Sequence, residues 1–76
     1  MGIQRLPVFI SAAENLNFTR AAEEQCISQT AVSQQIKLLE QELGYELFVR
    51  GKRGVSLTPA GKVFYKQCKQ LMIRYN

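Results

Sequence analysis

The chain contains no histidine and no tryptophan. Without histidine the commonest general base and a principal metal ligand are missing, and no Lys, Glu or Cys stands in a recognisable catalytic arrangement. The expectation is a protein that is not an enzyme, with no catalytic residue, metal ligand or cofactor. Only two cysteines occur, Cys26 and Cys68. They lack metal spacing and, so far apart in a chain of this kind, read as separate thiols rather than a disulfide. No stretch approaches the ~20 apolar residues of a membrane span. The opening MGIQRLPVFIS lacks the basic region and long apolar run of a signal peptide, and Leu6 breaks the myristoylation pattern. A cytoplasmic protein with no membrane contact is expected.

Acid is missing from the second part of the chain. All six acids, Glu14, Glu23, Glu24, Glu40, Glu42 and Glu46, precede residue 47, where they face three cations. From Leu47 onward come Arg50, Lys52, Arg53, Lys62, Lys66, Lys69 and Arg74 with no acid. An acid-free basic segment is one electrostatic footprint of a nucleic-acid binder; a generic basic surface is the other reading, and charge alone does not choose between them. What is present is 76 residues of ordinary apolar content, enough for one small domain. Such a chain buries only ~60% of its unfolded surface, so it gains from a partner.

Apolar spacing predicts a first helix over about residues 3–15, with Leu6, Phe9, Ile10 and Ala13 on one face. Pro7 is tolerated only in a first turn, where the amides lack helical partners, so the helix starts no earlier than residue 3 or 4. Leu16 and Phe18 are expected to anchor the next corner in the core. A second helix follows over about 18–25, with Asn17 as N-cap and Thr19 as competitor. Its Ala21 and Ala22 allow another helix to approach closely. Cys26 and Ile27 break it, and Ser28 caps a third helix over about 29–43. There Val32, Ile36, Leu39 and Leu43 recur as a buried stripe, and Gly44 is the natural C-cap. The opposite face carries Gln29, Thr30, Ser33, Gln34 and Lys37, neutral hydrogen-bonding side chains ending in one cation. Such a row can read base edges, whereas a solvated face usually mixes Glu with Lys.

Leu47 to Arg50 and Val55 to Leu57 alternate around Gly51-Lys52-Arg53-Gly54, which predicts a β-hairpin with a cationic tip. A two-stranded hairpin is marginal alone and must pack on the helices. Thr58 and Pro59, an N-cap and a favoured first helical residue, open a last helix running to the end of the sequence. Phe64, Cys68, Leu71 and Tyr75 form its apolar stripe, widened by Val63 and Met72. Lys62, Lys66 and Lys69 lie on another face. The helix is longer than a core of this size needs, so its later part is expected to be a partner surface. The sequence stops without a capping or breaking signal, as a piece of a longer protein would.

The order is helix, short helix, turn, capped helix, cationic hairpin and long helix, that of a winged helix-turn-helix. At the residue level the chain resembles the N-terminal DNA-binding domain of LysR-type transcriptional regulators. The resemblance lies in Phe9 and Glu14, Phe18-Thr19-Arg20-Ala21-Ala22, Ser28-Gln29-x-Ala31-x-Ser33-x-Gln35-Ile36, Leu39-Glu40, Leu43-Gly44, Leu47-Phe48-x-Arg50 and Leu57-Thr58-x-Ala60-Gly61. It spans nearly the whole chain in register. Departures are Gln25, where the family usually has an apolar residue, Thr30 where it often has Pro, Gln34 where it often has Arg, and the unusual Pro7.

The resemblance implies a mainly α fold with a three-helix core, a two-stranded β wing and a long C-terminal linker or dimerisation helix. It divides the chain into a DNA-binding domain over 1–58 and that helix over 59–76. A C-terminal effector-binding domain, which would take a small molecule, is absent from this chain. The implied activity is regulation of bacterial transcription by a homodimer on an inverted repeat of double-stranded DNA, with tetramers in full-length proteins. The helix over about 28–43 would enter the major groove. Gln29 and Gln34 are the candidates for pairing with adenine, Thr30 for a thymine methyl or base edge, and Ser33 and Lys37 for base or phosphate. Thr19 and Ser28, at helix N-termini, suit phosphate contact or pure capping, and the two roles can coexist. Arg50, Lys52 and Arg53, in or beside the wing over 50–54, suit the backbone or minor groove. Phe64, Cys68, Leu71, Met72 and Tyr75 are the candidate dimer interface. The rival is a winged helix used only for protein contacts, which acid or apolar residues on the open face of the third helix would favour.

Overall fold

Pro7 decides where the first helix begins. In the computed structural model, which describes residues 5–75 and side chains as far as Leu71, α1 spans Leu6–Asn15 with the proline in its first turn. There the missing N–H costs nothing, because that amide would have had no helical partner. Leu6, Val8, Phe9, Ala12 and Ala13 are all buried, so α1 is enclosed on more than the single face its periodicity suggested. Its one buried polar residue, Ser11, donates to Glu24 Oε1 at 2.6 Å, and Asn15 Nδ2 donates to the same oxygen at 3.0 Å. These bonds tie α1 to α2, which spans Phe18–Gln25.

The corner between them differs from expectation. Phe18 is buried, but Leu16 is 44% exposed. Leu16 is the C-cap of α1 in the left-handed region, φ 49°. The chain turns there so sharply that the side chain points to solvent and Phe18 takes the core position. Asn17, not Thr19, caps α2, its side chain accepting from the Arg20 amide at 3.0 Å. Cys26 ends α2, also left-handed at φ 58°. Ser28 then caps α3, Gln29–Leu43, accepting from the Ala31 amide at 3.0 Å. Val32, Ile36 and Leu39 are buried, Leu43 packs at the core margin, and Gly44 closes the helix at φ 84°.

The hairpin pairs β1 (Phe48–Gly51) with β2 (Gly54–Leu57), antiparallel, with Phe48 opposite Leu57 and Arg50 opposite Val55. Lys52 and Arg53 form its exposed tip. Glu40 fastens the hairpin to α3: its Oε2 accepts from the Leu47 amide at 2.7 Å and the Phe48 amide at 3.3 Å. Thr58 fastens it to α4 (Pro59–Tyr75), donating to the Glu46 carbonyl at 2.7 Å and accepting from the Gly61 amide at 2.9 Å. All four phenylalanines stack at the centre, Phe9 against Phe48 and Phe64, and Phe18 edge-on to Phe48 at 5.3 Å between centroids. Two helices, the wing and α4 thus share one aromatic joint, worth ~0.5–1.5 kcal/mol per ring pair beyond area burial. The architecture is the winged helix-turn-helix that the sequence predicted.

The core runs across the expected boundary at 58/59. Phe64 and Cys68 of α4 are 7% and 2% exposed and belong to the same cluster as Phe9 and Ala12. They face inward, so neither is available as an exposed interface residue. Burial also pushes the Cys68 thiol up to about 11, and Cys26 and Cys68 are both free.

Candidate nucleic-acid interface

Two short helix ends and one strand build the open face. The N-terminus of α3 presents Gln29 and Thr30, its second and third turns Ser33, Gln34 and Lys37; all but the half-buried Ser33 are exposed. The stripe of Val32, Ile36 and Leu39 fixes this orientation, since turning α3 would expose three apolar side chains to water. Arg50 comes from β1 and stands beside α3. Thr30, Ser33, Gln34, Ile36, Lys37, Glu40 and Arg50 line a common groove of about 420 Å³. The fold thus brings five of the candidates predicted from sequence, Thr30, Ser33, Gln34, Lys37 and Arg50, to one place. Lys52 and Arg53 stand apart at the wing tip.

The groove holds one acid, Glu40, which the periodicity of the open face did not include. Its carboxylate is turned onto the Leu47 and Phe48 amides. Those bonds hold the negative charge at the base of the wing, where it sets the wing's distance from α3. Sequence spacing could have suggested Glu40 only as a surface acid, because its partners lie seven and eight residues on.

Two exposed side chains are held by the first turn of α2. The Arg50 guanidinium carbon sits 4.7 Å from the centroid of the Phe18 ring, a cation–π contact that keeps the charge over the groove rather than free in solvent. The Thr19 hydroxyl donates to Gln29 Oε1 at 3.2 Å. Thr19 is therefore turned toward α3, not toward the N-cap position for which it competed. Ser28 combines exposure with capping.

On the far side, Glu14 Oε2 accepts from the Tyr65 hydroxyl at 2.8 Å and from Lys69 Nζ at 3.1 Å. The Tyr65 hydrogen bond, followed by that of Lys69, holds the Glu14 carboxyl below its ordinary value; the same contacts raise Tyr65 and Lys69. Lys69 is thus engaged with α1. On either side of these residues along α4, Val63 and Leu71 are 59% and 44% exposed. Of the expected interface set, Leu71 is exposed, Phe64 and Cys68 are interior, and the side chains of Met72 and Tyr75 lie outside the described residues. Among the described residues no group of His, Cys, Asp and Glu could hold a metal ion, and no helix is long and apolar enough to cross a membrane.

Residues 3–62 match the family model for bacterial regulatory helix-turn-helix proteins of the lysR family. A glycine cleavage system transcriptional activator homolog of Haemophilus influenzae is 46% identical over 74 residues, which are 97% of this chain and 25% of that protein. The chain therefore spans a quarter of the length of this relative. Among solved structures, the BenM DBD in complex with catB site 1 DNA superposes with a TM-score of 0.94 at 40% identity, covering 99% of this chain and 84% of that one. The CbnR DBD–DNA complex gives 0.93 at 33% identity, covering 99% and 86%.

Proposed function

The chain belongs to the lysR family of bacterial regulatory helix-turn-helix proteins, and on that premise we propose that it binds double-stranded DNA sequence-specifically, as a homodimer, to regulate transcription. The observation that carries the reading is the open face of α3: Thr30, Gln34 and Lys37 stand exposed beside Arg50, Gln29 is exposed at the start of the helix, and the groove's single carboxylate is occupied by backbone amides. Likeness to the BenM and CbnR domains, each solved with DNA, supports it. In this reading α3 enters the major groove. Gln29 and Gln34 read base edges, Thr30 meets a thymine methyl or base edge, and Ser33 and Lys37 reach base or phosphate. The first-turn amides at Thr19 and the Ser28 hydroxyl lie against phosphates. Arg50, Lys52 and Arg53 take the backbone or the adjoining minor groove.

The same reading makes the chain a non-enzyme acting in the cytoplasm. The later part of α4, with Leu71, Met72 and Tyr75, is the dimer surface and the link toward an effector-binding domain that would bind a small molecule and complete a tetramer. A mobility-shift titration against random and operator-like inverted-repeat DNA at two salt concentrations tests the central claim. Tighter binding to one inverted repeat, weakening steeply with salt, is expected. Equal affinity for all sequences, or none for any, would overturn it.

A further inference from the structure

We infer that Thr19 is a positioning residue for base readout: its hydroxyl holds the Gln29 carboxamide at the start of α3, and so limits which base edges that amide can meet. The inference rests on the DNA-binding reading above. A glutamine amide has two orientations related by a half-turn, which exchange its acceptor oxygen and its donor NH2. A base edge distinguishes them, because the major groove shows a different donor and acceptor pattern for each base pair. A side chain free to swing can meet many base edges; one tethered at its amide meets fewer.

The lock is on the surface of the molecule. Thr19 Oγ1 donates to Gln29 Oε1 at 3.2 Å across the turn that joins α2 to α3. No helix cap competes for that hydroxyl. Asn17 already fills the α2 N-cap and takes the Arg20 amide. Thr19 also sits in the first turn, with no earlier helical turn to offer it a carbonyl four residues back. Gln29 is equally free of capping duty, because Ser28 satisfies the Ala31 amide. The hydroxyl is therefore available to hold Oε1, which leaves the Gln29 Nε2 hydrogens as donors. They suit the acceptors presented by purine N7, guanine O6 or thymine O4, while the second lone pair of Oε1 remains for an adenine or cytosine amino group. Both residues are exposed in the free chain, where water competes with the bond. Docking on DNA excludes that water, and the position of the amide then has consequences, since a misplaced amide leaves polar groups unpaired. The neighbouring residue does the same for the wing, Phe18 seating Arg50, so one turn of α2 holds a side chain from each of two DNA-facing elements.

The test is selection of bound sequences from a random duplex library by the whole chain, for wild type, Thr19→Val, Thr19→Ser, Gln29→Ala and the Thr19→Val/Gln29→Ala pair. The valine keeps the shape and removes the hydroxyl; the serine keeps the hydroxyl. Discrimination at the base pair read by Gln29 should fall about three- to tenfold in Thr19→Val, the size expected of one neutral hydrogen bond. It should be retained in Thr19→Ser, and Thr19→Val should add no further loss once Gln29 is alanine. A wild-type chain that selects a sequence while Thr19→Val selects it equally well overturns the positioning role and leaves DNA binding intact. So does a Thr19→Val loss that is uniform over all sequences and additive with Gln29→Ala, the signature of a phosphate contact or a weakened helix. A wild-type chain without selectivity overturns both readings.

Discussion

The backbone of Gly61 lies against the carbonyl of Leu47 so closely that a methyl group on it would overlap the carbonyl oxygen and stand 3.0 Å from the carbonyl carbon. The same Leu47 oxygen accepts from the Thr58 amide at 3.0 Å. The start of the wing, the cap of α4 and the first turn of α4 therefore meet at one backbone group. Gly61→Ala should gain ~1 kcal/mol of helix propensity and lose more, because a backbone carbonyl cannot rotate aside. A net loss of about 1–2 kcal/mol in urea denaturation is expected. A variant as stable as the parent would mean that α4 can shift on the wing without cost.

The Glu14–Tyr65–Lys69 contact should leave a signature in the pH dependence of stability. The Glu14 carboxyl is held below its ordinary value of 4.5 by Tyr65 and then Lys69. Its contribution is present in full above 4.5 and is lost as pH falls through the lowered value. Tyr65 and Lys69 are raised above 10.0 and 10.5, so their share is complete below those values and is lost as pH rises through the raised ones. Water screens an exposed cluster, which keeps the effect small. Thermal melts of wild type and Glu14→Gln should differ most between pH 4.5 and 10.0 and converge in acid. A constant difference from pH 3 to pH 8 would exclude the titration.

The wing tip offers an electrostatic measurement. Lys52 and Arg53 are exposed and lie between two turn glycines, with no acid after Glu46 to neutralise them. If Arg53 meets one phosphate, Arg53→Ala should reduce the slope of log affinity against log salt by about one unit while leaving sequence preference unchanged. An unaltered slope would place the wing off the DNA.

Much of this geometry was legible because the sequence signals were local. Ser28, the apolar spacing of Val32, Ile36 and Leu39, and Gly44 delimit α3 as Gln29–Leu43, and the glycine-flanked tip delimits the hairpin. The misses were cases where a side chain's partner lies far away in sequence or where a backbone angle has no compositional mark. Leu16 and Cys26 end helices in the left-handed region usually taken by glycine or asparagine, so the outward turn of Leu16 left no trace. The stripe on α4 identified a face but not what covers it: α1 and the phenylalanine cluster enclose Phe64 and Cys68. Glu40 stood out only as a family-matching residue, Phe18 as a core anchor and Thr19 as a competing cap or phosphate contact, and only the fold brings them to the Leu47 amide, Arg50 and Gln29.

Enclosure of Phe64 and Cys68 sharpens what the α4 surface must do. Their burial consumes the inner side of the helix, yet Val63 and Leu71, two turns apart, remain exposed at 59% and 44%. Lys69 is drawn aside toward Glu14, which keeps that cation away from the exposed apolar strip. A second copy of the same helix is the simplest cover for such a strip, because a two-fold pairing brings each surface against itself. Antiparallel pairing would set both α3 helices on one side of the dimer, to enter major grooves ~34 Å or a multiple of it apart, and would require an inverted repeat in the DNA. Leu71→Glu should leave the monomer folded, since Leu71 contributes little to the core, while placing two carboxylates against an apolar partner. Binding to the full inverted repeat should then fall by about a hundredfold, the scale of lost avidity, with binding to a half-site unchanged. Sedimentation equilibrium decides the matter: a wild-type chain that remains monomeric at high micromolar concentration, or a Leu71→Glu chain that still dimerises, would remove α4 from the interface.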